Sequence, residues 1–285
     1  MSRSQRTLAA PVELAGPGLH EGRRVTARLQ PAPPGTGVVF RRVDLPGAPQ
    51  VVVAPDSLGE AARRTQLVHG SAEVHTVEHL LAALAAAPID NVLVELDGPE
   101  LPGLDGSALP WALALRQAGD AAQSTPRRTL RLARRVAVEA GGATLVAEPV
   151  DGAVLELDYT LDYTAQGLPR QRVQARFPGT DFAAELAPAR TFVLAAEAAA
   201  MLAAGLGKGA TPENTVVLQP DGRPASGKLR FPDEPARHKM LDLLGDLALL
   251  GADLQARVVA VKSGHRAHHE LVRKLAAELA GDEAA

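Results

Sequence analysis

The residues best suited to chemistry concentrate in one run, His238-Lys239-Met240-Leu241-Asp242-Leu243-Leu244-Gly245-Asp246-Leu247. His238, Asp242 and Asp246 are spaced i, i+4, i+8, which puts all three on one stripe of a helix. Leucine and methionine fill most of the remaining circumference, so the helix should be buried on nearly all sides. A carboxylate in such surroundings has to be paired, hydrogen-bonded or metal-bound, because burying its charge alone is too costly. An imidazole and a carboxylate one turn apart can grip a single ion, and zinc takes nitrogen and oxygen ligands in tetrahedral geometry. The same spacing also suits an ordinary i, i+4 pair on a solvated face, and two ligands do not define a site.

His79, in Thr76-Val77-Glu78-His79-Leu80, offers a third ligand. A catalytic zinc site needs three protein ligands, an open position and a nearby base, and Glu78 beside His79 supplies the carboxylate. The plainer alternative is that Glu78 favours a helix N-terminus through the macrodipole and His79 is a satisfied buried histidine. His265, in Val261-Lys262-Ser263-Gly264-His265, stands where a strand is expected to end. Protonated, it would stabilise a developing oxyanion and donate to a leaving amine, with Asp246 orienting the ring. His268 and His269 are expected on the surface of the closing helix. His20, His69 and His75 have no comparable context.

The elements that must carry these groups are a mixture. Strands are expected at 24–29, 37–40 and 91–96, and Thr76 is expected to cap a helix running through Leu80, Leu81, Leu84 and Ala87 to Pro88. A turn at 103–107 leads into a helix over 108–117. The polar stretch 120–128, with Pro126, reads as a linker between domains at 1–125 and 126–285. Beyond it, strands are expected at 136–138, 144–147 and 154–159, and an alanine-rich, partly helical stretch at 183–204. The key helix opens at Pro235 or Ala236 and runs from His238 to Gly251; a strand at 257–261 and a helix over 267–280 close the chain. Strands and helices mix without strict alternation, which points to α+β layers. Two His-led helices, each followed by a strand, hint at two related domains.

Composition excludes several classes. Aromatic residues are only 3% of 285, so the core is built from Leu, Val and Ala. Lys plus Arg number 30 against 33 Asp plus Glu, which argues against a nucleic-acid binder, and the cluster Arg127, Arg128, Arg131, Arg134 and Arg135 reads as a solvated strand face. The absence of cysteine rules out disulfides, thiolate zinc sites and a thiol nucleophile. The polar start, Met1 to Gln5, is not a signal peptide, and no apolar run approaches the roughly 20 residues of a membrane span. A cytoplasmic monomer is expected.

Thr76-Val77-Glu78-His79-Leu80, Arg237-His238-Lys239-Met240-Leu241-Asp242 and Lys262-Ser263-Gly264-His265 together resemble the signature segments of the UDP-3-O-acyl-N-acetylglucosamine deacetylases of lipid A biosynthesis, the LpxC family. Gly18-Leu19-His20, Arg41-Arg42-Val43-Asp44, Ile89-Asp90-Asn91, Asp105-Gly106-Ser107-Ala108 and Ala189-Arg190-Thr191-Phe192 extend the likeness over most of the chain. The resemblance implies an α+β fold of two similar helix-on-sheet domains with the active site between them. It implies hydrolysis of an acetamide on an acylated UDP-sugar to acetate and a free amine. Zinc would be held by His79, His238 and Asp242, and iron(II) would suit the same ligands. Glu78 would be the general base. His265, held by Asp246, would be the general acid or oxyanion partner, and Thr191 would hydrogen-bond the tetrahedral intermediate. Lys239, Phe192 and Lys262 would contact substrate, and residues 193–217 would form an apolar passage for the acyl chain. The loop Gly205 to Asn214 departs from the family's Gly-Gly-Ser pattern, with Gly209-Ala210 in its place, which leaves the preferred chain length open. Two rivals remain at this point: a metal-dependent deacetylase of another N-acyl sugar, and a non-catalytic binding protein of the same fold.

Overall fold

The computed structural model describes residues 2–284; the outermost residues of the two expected domains, Met1 and Ala285, lie outside the described residues. The first half begins with β1 (Ser4–Leu8), β2 (Val12–Pro17), β3 (Arg24–Pro31), β4 (Val38–Arg42) and β5 (Gln50–Val52). A small hairpin follows, β6 (Gln66–His69) and β7 (Ala72–His75), and then α1 (Glu78–Ala86), β8 (Val92–Leu96) and α2 (Leu109–Ala118). The main sheet has the order β2-β3-β8-β4-β5, and only β4 and β8 run parallel.

β9 (Asp120–Pro126) completes the first half, and the second opens with β10 (Thr129–Arg131), β11 (Val136–Ala140), β12 (Ala143–Glu148), β13 (Leu155–Leu161) and β14 (Gln171–Phe177). It continues with α3 (Phe182–Glu185), β15 (Phe192–Leu194), α4 (Ala195–Ala203) and β16 (Val216–Leu218). It closes with α5 (Glu234–Leu247), β17 (Asp253–Val261) and α6 (His265–Ala284). Its sheet runs β11-β12-β17-β13-β14, with β13 and β17 parallel and the short β10 also parallel to β17.

Both main sheets thus share one order and one sense. In each, a helix feeds the central strand (α1 into β8, α5 into β17) and another follows it (α2, α6). That repetition accounts for the likeness between the two His-led helices. The class is α+β, as expected. β17 shows why: Leu254, Ala256, Val258 and Ala260 are buried while the residues between them are less so, the period-2 pattern of a strand with one face on a core. The first turns of α1 and α5 are buried as well, because the two helices pack directly on each other between the sheets.

Several expectations need correction. The stretch 120–128 is largely strand: β9 runs antiparallel to β1, with Leu8 opposite Asp120 and Ser4 opposite Pro126. Its side chains are mostly exposed, so the sequence carries no apolar alternation to reveal it. Thr76 does not cap α1. Its backbone has φ 59, Val77 occupies the cap position without a side-chain bond, and the Thr76 hydroxyl donates instead to Glu100 Oε1 at 3.1 Å. The alanine-rich stretch divides into α3, β15 and α4. α5 starts at Glu234 and ends in a 3-10 turn, Ala248–Leu250. In the basic cluster, Arg127 pairs with Asp90, Arg134 with Glu278 and Arg135 with Glu148. Among the described residues no helix is long and apolar enough to cross a membrane.

Candidate metal centre and active site

Two helix termini and one helix middle build the site. α1 delivers Glu78 and His79 in its first turn, straight after the left-handed backbone at Thr76. α5 delivers His238, Asp242 and Asp246 from one stripe, and all three are buried. α6 delivers His265 as its first residue, three residues after Lys262 (φ 56). Thr76 and Lys262 are non-glycine residues at positive φ, a conformation that costs energy and recurs at functional sites. The close contact of α1 with α5 depends on Gly245, since a Cβ there would lie 2.1 Å from the Glu78 carbonyl oxygen.

His79, His238 and Asp242 present ligand atoms that all lie within 4.8 Å of one another. Asp242 Oδ1 is 3.4 Å from His238 Nε2 and 3.8 Å from His79 Nε2, yet this buried oxygen has no hydrogen-bond partner. Burying an ionised carboxylate without compensation costs several kcal/mol, more than the roughly 1.5–3 kcal/mol that a buried leucine returns. Something must therefore satisfy that oxygen. Neither imidazole hydrogen-bonds to it at these separations, and burial pushes the His79 imidazole down to about 3 and holds His238 below the usual range, so both rings are neutral. His238 Nδ1 faces the Ala189 carbonyl at 3.0 Å, which must accept a hydrogen from it and leaves the Nε2 lone pair turned toward Asp242. Burial opposes the Asp242 charge, but Lys239, donating to Oδ2 at 2.8 Å, and the His265 imidazolium outweigh it and keep the carboxyl ionised. Two neutral nitrogens and one orphaned anionic oxygen are the donor set of a zinc or iron(II) ion. These residues fit such a metal.

Glu78 lies beside this triad. Burial raises its carboxyl to about 7 despite the nearby His265, and Oε2 accepts from the Thr65 backbone N–H at 3.2 Å. His265 Nε2 stands 3.7 Å from Glu78 Oε1 and 3.7 Å from Asp242 Oδ2. Its Nδ1 bonds to Asp246 Oδ2 at 2.8 Å. Burial works against protonation of His265, but Asp246, Glu78 and Asp242 outweigh it and raise the ring to about 9. The site therefore pairs a carboxylate that takes up a proton near neutrality with an imidazolium able to give one, the division of labour that acid–base catalysis needs.

Both groups line a cavity of about 570 Å3 that also includes Thr191, Phe192, Lys239 and Lys262. The Phe192 ring lies 6.4 Å from the His238 ring and 5.8 Å from Lys239 Nζ. Lys262 is half-exposed, with Asp162 3.5 Å away. The cavity extends from His79, His238 and Asp242 to the β15–β16 ribbon and α4, where Val193, Leu194, Ala198, Met201, Leu206 and Val217 line it. Within the departing loop, Gly209 is required where it stands, because a Cβ would lie 2.1 Å from the Gly18 carbonyl oxygen.

The structure overturns one reading of the histidines. His268 and His269 are buried, not on the surface of α6; the spacing from His265 is i, i+3 and i+4, the same helix face, and that signal was present in the sequence. His265 itself opens a helix and does not end a strand. Thr65, which touches both Glu78 and Asp246, had no local signal.

The profile of the LpxC family, UDP-3-O-acyl N-acetylglycosamine deacetylase, matches residues 5–277. The chain belongs to that family. A UDP-3-O-acyl-N-acetylglucosamine deacetylase of Thermosynechococcus vestitus is 41% identical over 276 residues, covering 97% of this chain and 95% of that one. A protein of the same name from an Anaeromyxobacter species is 41% identical over 281 residues, covering 96% and 89%. One from Myxococcus xanthus is 39% identical over 280 residues, covering 96% and 87%. Thr76 and Lys262, both at positive φ, line the cavity.

Proposed function

We propose that this chain hydrolyses the acetamide of UDP-3-O-acyl-N-acetylglucosamine to acetate and the free amine, using zinc held by His79, His238 and Asp242. Iron(II) is the alternative ion in the cell. The observation that carries the metal is the buried Asp242 Oδ1, left without a hydrogen-bond partner between two neutral imidazoles. When bound, the ion would polarise the acetyl carbonyl and acidify the attacking water.

The chain's own groups would do the rest. Glu78 takes a proton from the water as its oxygen bonds to the acetyl carbon. His265 gives its Nε2 proton to the nitrogen as the C–N bond breaks, so the amine leaves neutral. Thr191 hydrogen-bonds the tetrahedral intermediate. Lys239 neutralises Asp242 on its outer oxygen, and with Phe192 and Lys262 it contacts the sugar and its neighbours. The apolar passage between α4 and the β15–β16 ribbon would take the 3-O-acyl chain, and its lining of Val, Leu, Ala and Met supports an acyl-bearing sugar over an N-acyl sugar without the chain. On this reading the domains divide at 1–125 and 126–285, and the enzyme works as a cytoplasmic monomer on a small-molecule substrate.

The deciding experiment measures metal content and acetate release before chelation, after it and after adding zinc back. The expected result is about one metal per chain and activity that leaves and returns with it. UDP-N-acetylglucosamine lacking the acyl chain should be a poor substrate; equal turnover of both would discard the lipid A substrate while keeping the metal chemistry.

A further inference from the structure

Four side chains converge on Asp246, and only His265 faces the cavity among them. His265 Nδ1 and His268 Nδ1 both lie 2.8 Å from Oδ2. Thr65 Oγ1 lies 2.5 Å from Oδ1, and His269 Nε2 is 2.9 Å from that hydroxyl and 3.5 Å from Oδ1. Asp246, Thr65, His265, His268 and His269 are all buried.

The hydrogens can be placed by counting. An ionised carboxylate only accepts, so both nitrogens on Oδ2 must carry hydrogen. His268 Nε2 sits 2.9 Å from Ser263 Oγ, and burial keeps this ring below the usual imidazole range, so it is neutral and Nε2 accepts from the serine hydroxyl. Thr65 has one hydroxyl hydrogen, which goes to Asp246 at 2.5 Å; its lone pairs are left to accept from His269 Nε2–H. The Thr65 backbone N–H donates to Glu78 Oε2 at 3.2 Å, so one residue touches both carboxylates of the site.

We propose that Thr65 and His268 are positioning residues. By occupying the remaining acceptor sites of Asp246 they hold its carboxylate in the one orientation that keeps the His265 hydrogen on Nδ1 and its Nε2 turned to the substrate. With Thr65 removed, Oδ1 loses its only short donor, and the nearest N–H left to it is His269 Nε2 at 3.5 Å. The carboxylate relieves this loss most easily by turning, which draws Oδ2 away from His265. With His268 removed, Oδ2 loses a donor and His265 can shift toward it. Which nitrogen of a histidine carries the hydrogen is set by the partner of the other, so either change disturbs the group that protonates the amine. This inference rests on the deacetylase reading for its kinetic arm alone.

The test uses the metal-loaded enzyme with Thr65→Val, which keeps the volume and loses the hydroxyl, and Thr65→Ser, which restores it. His268→Ala and His268→Asn form a second pair, because the asparagine amide reaches the position of Nδ1. Thr65→Val and His268→Ala should each lower kcat about 10-fold, the usual scale for losing a partner that orients a functional group. KM should stay within about twofold, since substrate contacts are untouched. Thr65→Ser and His268→Asn should recover most of the rate. Proton NMR of the ring N–H groups supplies a readout without turnover: the His265 Nδ1–H resonance should move or vanish in Thr65→Val. Wild-type kcat together with an unmoved resonance in Thr65→Val would overturn the proposal. Should the wild-type chain fail to deacetylate the acylated UDP-sugar, the substrate reading falls, and the resonance alone decides the role of Thr65.

Discussion

Gly245 of α5 lies directly against the backbone carbonyl of Glu78 in α1, and a Cβ on it would sit 2.1 Å from that oxygen. This contact brings Glu78 and His79 against the Asp242 stripe, so the distance between two helices and the geometry of the site are one quantity. Gly245→Ala is expected to cost about 3 kcal/mol as overpacking forces the backbones apart. It should also weaken metal binding, read by thermal unfolding and by metal content after dialysis. A variant with wild-type Tm and full metal content would show that α1 has room to shift.

Metal removal should destabilise the protein, because Asp242 Oδ1 is then left buried without a partner. The loss of Tm on chelation measures binding to the folded state, about 4 kcal/mol for a metal at 1,000 times its Kd. His79→Ala should show no further fall when chelator is added. A chelator effect of equal size in that variant would move the metal elsewhere.

Glu78→Gln and His265→Gln should each lower kcat by about 10²–10⁴, the range for losing a positioned acid or base. Metal content should not change. The double variant should be little worse than the poorer single, since Glu78 acts as the C–O bond forms and His265 as the C–N bond breaks, and the slower step alone sets the rate. Additive losses would mean that both act independently in one transition state.

Ala198→Phe, in the wall of the passage, should raise KM for substrates with a long 3-O-acyl chain at least about 10-fold, as expected for closing an apolar pocket. Short-chain substrates should be nearly unaffected. Equal losses with short and long chains would place the acyl group outside this passage.

Away from the site, Asp158 accepts from Arg172 at 2.7 and 2.6 Å and from Gln174 at 3.0 Å, which holds its carboxyl below the usual carboxylate range. A depressed folded value means that its stabilisation is present above the unfolded pKa, about 3.9, and is lost as pH falls through the folded value. Asp158→Asn should therefore lower Tm at pH 7, and the gap from wild type should close on acidification below about pH 4. A gap that persists at low pH would assign the effect to packing.

The i, i+4, i+8 stripe of His238, Asp242 and Asp246 was legible in the chain because helical periodicity is local, and three ionisable groups on a mostly apolar helix demand partners wherever the helix lies. Glu78 and His79 stood out as an adjacent pair opening an apolar helix, with their roles implied by the family resemblance, and the α+β class followed from strands and helices mixing without strict alternation. What sequence could not settle was decided by distance along the chain. β9 looked like a linker because a strand with exposed side chains is stabilised by backbone bonds to β1, which leave no mark on residue type. Thr76 has the composition of a cap, but its hydroxyl is claimed by Glu100, 24 positions on. His268 and His269 are polar residues on an amphipathic helix and read as solvent-facing until Asp246 and Thr65 are placed against them. Thr65 reaches Asp246 across 181 residues. Local spacing determined which groups can act, because it depends only on the geometry of one helix. Tertiary structure decided which groups hold them in place, because a hydrogen-bond partner contributed by a distant segment has no period in the sequence to betray it.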